Sequence, residues 1–256
     1  MGIPSILHEG NTMTPFIQAV MNANEEIFTA LQNFDTSWRE KSEVGAGGDL
    51  SSNLDLFAEE IFVKHLGSFG MIESEESGLI GEGEEQIIID PIDGSSNALS
   101  QFPYYGTSVA RINREGVLES AVVCNLANRD IFIKEAGKEA VQGKLFSREF
   151  RTIGEMPGSE IGLFEKAYAN GALVEKLHRE KFKFRAPGAV ALSLAYAHSV
   201  EFVLFVGPFR IYDFAAGLAL CEGLEVVVDE DYVIVSKDKN IVKRIVGLIQ
   251  SVSVEE

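Results

Sequence analysis

The stretch Gln86-Ile87-Ile88-Ile89-Asp90-Pro91-Ile92-Asp93-Gly94-Ser95-Ser96-Asn97 decides how this chain is read. Three successive isoleucines have the character of a buried strand, and the Asp-Pro and Asp-Gly pairs break it into a turn at Asp90. Pro91 fixes its own φ and Gly94 opens conformations closed to other residues, so the chain can coil tightly just past the strand. Two carboxylates, with the Ile92 carbonyl between them, are then placed to converge on hard cations, which prefer oxygen ligands. The hydroxyls of Ser95 and Ser96 follow immediately. An EF-hand calcium loop is excluded, because Ile92 stands where that loop needs Asp or Asn. More acids lie upstream in Glu73-Ser74-Glu75-Glu76 and far downstream at Asp213, in Tyr212-Asp213-Phe214-Ala215-Ala216-Gly217.

The rest of the composition bounds the setting. A chain of 256 residues, 46% of them hydrophobic, suits one large domain or two closely packed halves. Its net charge of −17 argues against a general nucleic-acid surface, which needs clustered Lys and Arg. Bound metal ions reverse the electrostatics of an acidic pocket, so an anionic substrate remains compatible with this charge. Cys124 and Cys221 lie in apolar surroundings and read as reduced core thiols, with a spacing wrong for zinc. The opening Met1-Gly2-Ile3-Pro4-Ser5-Ile6 lacks the charged and apolar regions of a leader, and Ile6 misses the myristoylation pattern. No run reaches the roughly 18 apolar residues of a membrane helix, so the cytoplasm is the expected compartment. The four histidines show no metal-ligand spacing and are assigned no role.

Thr14-Pro15 starts a long amphipathic helix, with Phe16, Val20, Ala23, Ile27, Leu31 and Phe34 at spacings of three and four. The flexible loop Gly45-Ala46-Gly47-Gly48 interrupts, and Leu54 to Leu66 forms a second helix with Asp55, Glu59 and Glu60 on its polar positions. Gln86 to Ile89, Thr107 to Ile112, Val117 to Asn125 and Asp130 to Lys134 read as strands of one antiparallel-rich sheet, with a turn at Arg114-Glu115-Gly116. From about residue 146 strands and helices alternate: helices over Ala169 to Glu180 and Ala189 to Ser199, an extended Val200 to Val206, and a helix begun by Asp213. Glu225 to Asp229 pairs with Tyr232 to Ser236, and a helix runs from Lys239 to Gln250. Residues 1–145 are read as an N-terminal half carrying the acids and 146–256 as a C-terminal half, packed as one unit. The pattern alone gives a mixed α/β protein.

In order along the chain, Gly48-Asp49 with Asp55 and Glu59, Glu75-Glu76, Asp90 to Asn97, Gly188-Ala189-Val190-Ala191 and Asp213 to Gly217 resemble the inositol monophosphatase family. That superfamily of magnesium-dependent, lithium-sensitive phosphatases includes fructose-1,6-bisphosphatases and bisphosphate nucleotidases. The resemblance covers most of the chain. It implies an α/β/α/β/α sandwich, two or three Mg²⁺ ions, hydrolysis of a small phosphorylated metabolite by an activated water, and a homodimer. It assigns Glu75, Asp90, the Ile92 carbonyl, Asp93 and Asp213 to the metals. Asp49, Ser95 and Glu75 would handle the attacking water. Gly94 and Ser95 would hold phosphate oxygens, and Asp93, Gly188, Ala189, Arg210 and Asp213 would meet the substrate. The chain departs from animal-type members in carrying Val206 where they have a hydroxyl-binding Glu. Arg210 and the ending Gly94-Ser95-Ser96-Asn97 look more like dual-specificity archaeal enzymes and fructose-1,6-bisphosphatases. Inositol monophosphate and fructose 1,6-bisphosphate are the substrates implied. A bisphosphate nucleotidase, or a non-catalytic regulatory scaffold, is the alternative.

Overall fold

In the computed structural model, residues 13–48, 50–147, 149–154 and 158–253 are described. The chain opens on α1 (Pro15–Leu31), where the Thr14 hydroxyl caps the helix by accepting from the Ile17 amide at 3.3 Å and Pro15 takes the first turn. A hairpin of β1 (Lys41–Val44) and β2 (Leu50–Ser52) leads into α2 (Asn53–Leu66). There Ser52 and Asp55 form a reciprocal capping box. The first large sheet then follows as β3 (Met71–Ser74), β4 (Gly78–Ile80), β5 (Gln86–Asp93), β6 (Gly106–Ile112), β7 (Leu118–Asn125), β8 (Asp130–Glu135), β9 (Val141–Lys144) and β10 (Phe150–Thr152). The short α3 (Ser95–Leu99) lies between β5 and β6.

Beyond Thr152 come β11 (Gly162–Glu165), α4 (Gly171–Arg179), β12 (Phe184–Arg185), α5 (Val190–Ala195), β13 (Val203–Val206) and α6 (Ile211–Ala219). The chain then runs through β14 (Glu225–Val228), β15 (Tyr232–Ser236) and α7 (Lys239–Ser253). The eight-stranded sheet has the order β10-β9-β8-β7-β6-β5-β3-β4, and the five-stranded sheet β12-β11-β13-β15-β14. The first sheet is antiparallel except where β3 runs parallel to β5.

Strand periodicity divides the core into layers. Ile87 and Ile89 point to one face of the first sheet and pack with α1 and α2 through Phe16, Ile17, Val20 and Phe62. Ile88, between them, points to the other face with Ala110, Val123 and Phe132, against Ala191 and Leu192 of α5 and Ala216 of α6. The same alternation recurs in the second sheet: Val203 and Phe205 meet Leu194 and Phe214 from α5 and α6. Phe164, Leu204 and Ile234 turn the opposite way, toward Leu173 and Leu177 of α4 and Val242 and Ile245 of α7. The result is the layered α/β/α/β/α sandwich, with α5 and α6 as the middle layer between the sheets.

Several elements differ from the sequence reading. The glycine segment is the tip of the β1–β2 hairpin, where two amides dock on the turn between β3 and β4: Ala46 N–H donates to Glu76 O at 2.9 Å and Gly47 N–H to Glu75 O at 2.7 Å. Asp55 and Glu59, expected on the polar side of their helix, are buried at 3% and 6% exposure. Helix α6 begins at Ile211 with Arg210 as its cap, so Asp213 lies inside the first turn instead of starting it. Cys124 and Cys221 are buried free thiols, as expected. No helix among the described residues is long and apolar enough to cross a membrane.

Candidate metal centre and active-site cleft

Pro91 removes a donor from β5, and the pairing of β5 with β6 shifts register between Asp90 and Asp93. The strand therefore turns both acids toward the same end. Gly94, at φ +85°, completes the bend. A side chain there would put Cβ 3.1 Å from the Gly188 carbonyl, so glycine suits both the dihedral and the space. Glu75 sits one residue past the parallel neighbour β3, its amide donating to the Ile89 carbonyl at 3.2 Å. Asp213 comes from the first turn of α6 in the middle layer. Carboxylate oxygens of Glu75, Asp90 and Asp213 all lie within 4.8 Å of one another.

These acids line a cleft of about 580 Å³ at the carboxyl ends of β3 and β5. Among the described residues, seven carboxylates line it, those of Asp55, Glu75, Glu76, Asp90, Asp93, Glu165 and Asp213, against the cations Lys41, Lys166 and Arg210. Burial pushes Asp90 well above the ordinary carboxylate range, and the charges of Glu75, Asp93 and Asp213 add to the shift. Burial likewise raises Asp93, partly opposed by the Leu192 amide, which donates to its Oδ2 at 2.8 Å. Glu76 is pushed up to about 7, first by burial and then by the nearby Asp55 and Glu59. Concentrated like charge of this kind has a use at a cation site and costs stability elsewhere.

The donor set fits Mg²⁺, since it consists of carboxylates and a backbone carbonyl, the ligands of a hard divalent ion. Ile92 is buried and lines the cleft, and its carbonyl accepts from the Ser95 hydroxyl at 2.9 Å. Asp55 Oδ1 is the one buried side-chain oxygen, among the described residues, left without a hydrogen-bond partner, and Asp55 lines the same cleft.

A model of the inositol monophosphatase family matches residues 11–229. The chain belongs to that family. Family relatives include the bifunctional NADP phosphatase/NAD kinase of Methanocaldococcus jannaschii, 28% identical over 236 residues, spanning 76% of this chain and 41% of that protein. Another is the Nus factor SuhB of Xylella fastidiosa, 31% identical over 185 residues, 67% of this chain and 66% of that protein. The chain therefore spans less than two thirds of the length of both. The inositol monophosphatase fold itself is shared with a solved structure, the Thermotoga maritima IMPase, at TM-score 0.76 and 22% identity over 93% of this chain and 98% of that one.

Of the family positions expected from sequence, Glu75, Asp90, Ile92, Asp93, Gly94, Ser95, Gly188, Arg210 and Asp213 all line the one cleft. Asp49 lies outside the described residues. The amides of Gly188 and Ala189, expected to meet substrate, donate instead to Glu165, at 2.9 and 3.4 Å. Arg210 points at the acids, with Nη1 2.6 Å from Glu75 Oε1 and Nε 3.0 Å from Asp213 Oδ2. Val206 is a half-buried strand residue whose carbonyl accepts from Asn170 at 3.3 Å.

Asp55 stands among the residues that carry the family resemblance but was given no role in the site, and Glu165 was not singled out at all. The pattern Ser52-Asn53-Leu54-Asp55 does signal a capping box, yet it marks a helix start and says nothing about which way the second carboxylate oxygen faces. Nothing local marks Glu165. It closes β11 and receives amides from a turn far along the chain, together with the Ser193 hydroxyl at 2.5 Å.

Proposed function

We propose that this protein hydrolyses small phosphate monoesters with divalent metal ions, Mg²⁺ by the chemistry of its ligands. The observation that carries the reading is the convergence of Glu75, Asp90 and Asp213 oxygens within 4.8 Å at one end of the cleft. Glu75, Asp90, the Ile92 carbonyl, Asp93 and Asp213 would hold the ions, two or three in number. Such ions supply positive charge to the phosphoryl oxygens and lower the pKa of a bound water.

The chain's own groups do the remaining work. The Ser95 hydroxyl, anchored at Ile92, positions the attacking water. The unpartnered Oδ1 of Asp55 offers an acceptor for that water's proton in the same cleft. Gly94 and Ser95 line the position for the phosphate, and Asp93 faces the substrate hydroxyls. Asp49 takes part in handling the water on family resemblance alone. No side chain is asked to act as a nucleophile. Inhibition by lithium, a homodimeric assembly and a cytoplasmic location belong to the same proposal.

Inositol monophosphate and fructose 1,6-bisphosphate are the first substrates to assay. A nucleotide carrying a terminal or 2′ phosphate is a second reading, favoured by Tyr168, which is 85% exposed on the cleft wall beside Lys166. An exposed aromatic ring with a neighbouring cation suits a base and its phosphates. The M. jannaschii relative, an NADP phosphatase, points the same way.

The test is phosphate release from a panel of inositol, sugar and nucleotide phosphates, with Mg²⁺ and with a chelator. Turnover that needs Mg²⁺ is expected on at least one ester. No turnover on any of them would leave the regulatory role carried by the Nus-factor relative as the better account.

A further inference from the structure

Arg210 reaches the acid cluster from just ahead of α6. Its Nη1 lies 2.6 Å from Glu75 Oε1, its Nε 3.0 Å from Asp213 Oδ2, and its Nη2 3.4 Å from Asp213 Oδ1. Both partners belong to the group of three carboxylates whose oxygens lie within 4.8 Å of one another. The guanidinium thus already spans two of the three groups that a divalent ion at this cluster requires. A fork of N–H donors fits paired carboxylates well, so the contact is a strong one.

Mg²⁺ demands oxygen ligands at about 2.0–2.1 Å in near-octahedral array. An ion bound to Glu75 and Asp213 at that distance would stand within a few ångströms of the guanidinium, and like charges that close disfavour one another. Arg210 has somewhere to go. Its side chain is 28% exposed and it lines the open cleft, whereas Glu75 and Asp213 are 12% and 4% exposed.

We propose that Arg210 is an internal counter-ion that competes with the metal for Glu75 and Asp213, so that metal uptake requires its release into the cleft. The inference rests on the acid cluster being the metal centre. Its sign separates it from the ordinary supporting role of a residue beside metal ligands. A supporting arginine orients carboxylates and strengthens metal binding; a competing one weakens it.

The decisive measurement is calorimetric titration of Mn²⁺ into wild type, Arg210→Gln and Asp90→Asn, with free Mn²⁺ also read by electron paramagnetic resonance. Arg210→Gln is expected to bind at least about tenfold more tightly than wild type, and Asp90→Asn to bind weakly. Equal or weaker binding by Arg210→Gln, with wild type binding normally, overturns the inference and leaves the metal centre standing. Wild type that binds no Mn²⁺ overturns both.

A second measurement needs no substitution. In the metal-free protein the Nε–H of Arg210, held on a carboxylate, gives a protected resonance by nuclear magnetic resonance, and saturating Mg²⁺ is expected to return it to rapid exchange with solvent. Persistence of that protection with the metal bound overturns the inference.

Discussion

Asp93 has two oxygens with separable duties. Oδ2 accepts the Leu192 amide at 2.8 Å and ties the turn to α5, while the carboxylate as a whole lines the acidic cleft. Asp93→Asn keeps an oxygen for that amide and loses the negative charge. The expected outcome is a native circular-dichroism spectrum with turnover reduced by about three orders of magnitude, or about 4 kcal/mol of barrier. Near-normal turnover at saturating Mg²⁺ would remove Asp93 from the ligands.

Asp90 separates stability from function. Its carboxyl is held well above its ordinary value of 3.8 by burial and neighbouring acids. Without metal, the folded state therefore binds more protons than the unfolded chain above that value, and stability falls as pH rises. Asp90→Asn should raise the stability of the metal-free protein at pH 8 by about 0.5–2 kcal/mol while losing the metal. A denaturant titration in chelator checks it, and a destabilised variant would contradict the electrostatic account. Asp90 and Asp93 were legible in the sequence because the turn that presents them is local. Arg210 was legible as a residue and not in its partners, which depend on where α6 docks.

At the scale of the element, the helices were read well where end signals were strong. Thr14-Pro15 gave the start of α1, and the unbroken apolar run Ile87-Ile88-Ile89 gave a strand buried on both faces. The β1–β2 hairpin was missed, since its glycine tip reads as a free loop and its strands are short and polar. What holds it is tertiary. Gly47 packs so closely that a Cβ would lie 2.5 Å from Glu75 Cγ, and its amide bonds to the Glu75 carbonyl. Gly47→Ala must push Glu75 or the tip aside. We expect metal affinity to weaken by about tenfold, or about 1.4 kcal/mol, with a loss of stability of about 1 kcal/mol. Mn²⁺ titration beside thermal melts tests this. A large loss of stability with unchanged affinity would mean that the tip supports the fold and not Glu75.

Over the whole molecule, the five layers follow from four apolar clusters, yet strand and helix order alone could not have assigned α5 and α6 to the middle. Their residues are apolar on both sides because they touch both sheets. The proposed metal centre joins these layers, with Glu75 and Asp90 supplied by the first sheet and Asp213 by the middle layer. Metal at about a hundred times its dissociation constant should stabilise the native state by about 2.7 kcal/mol. For a chain of this size, chelation should lower the melting temperature by roughly 5–10 °C. A melt indifferent to chelator would argue against a centre that bridges layers.

The ion pair between Glu75 and Arg210 closes a sequence separation of 135 residues. Contacts that distant are expensive in loop entropy and tend to form late, after the folding barrier has been crossed. The acid cluster should accordingly be missing from the transition state. Divalent ions would then slow unfolding and leave the refolding rate nearly untouched. In a cell, the lifetime of the folded protein, and not the speed at which it is made, would track the free magnesium concentration.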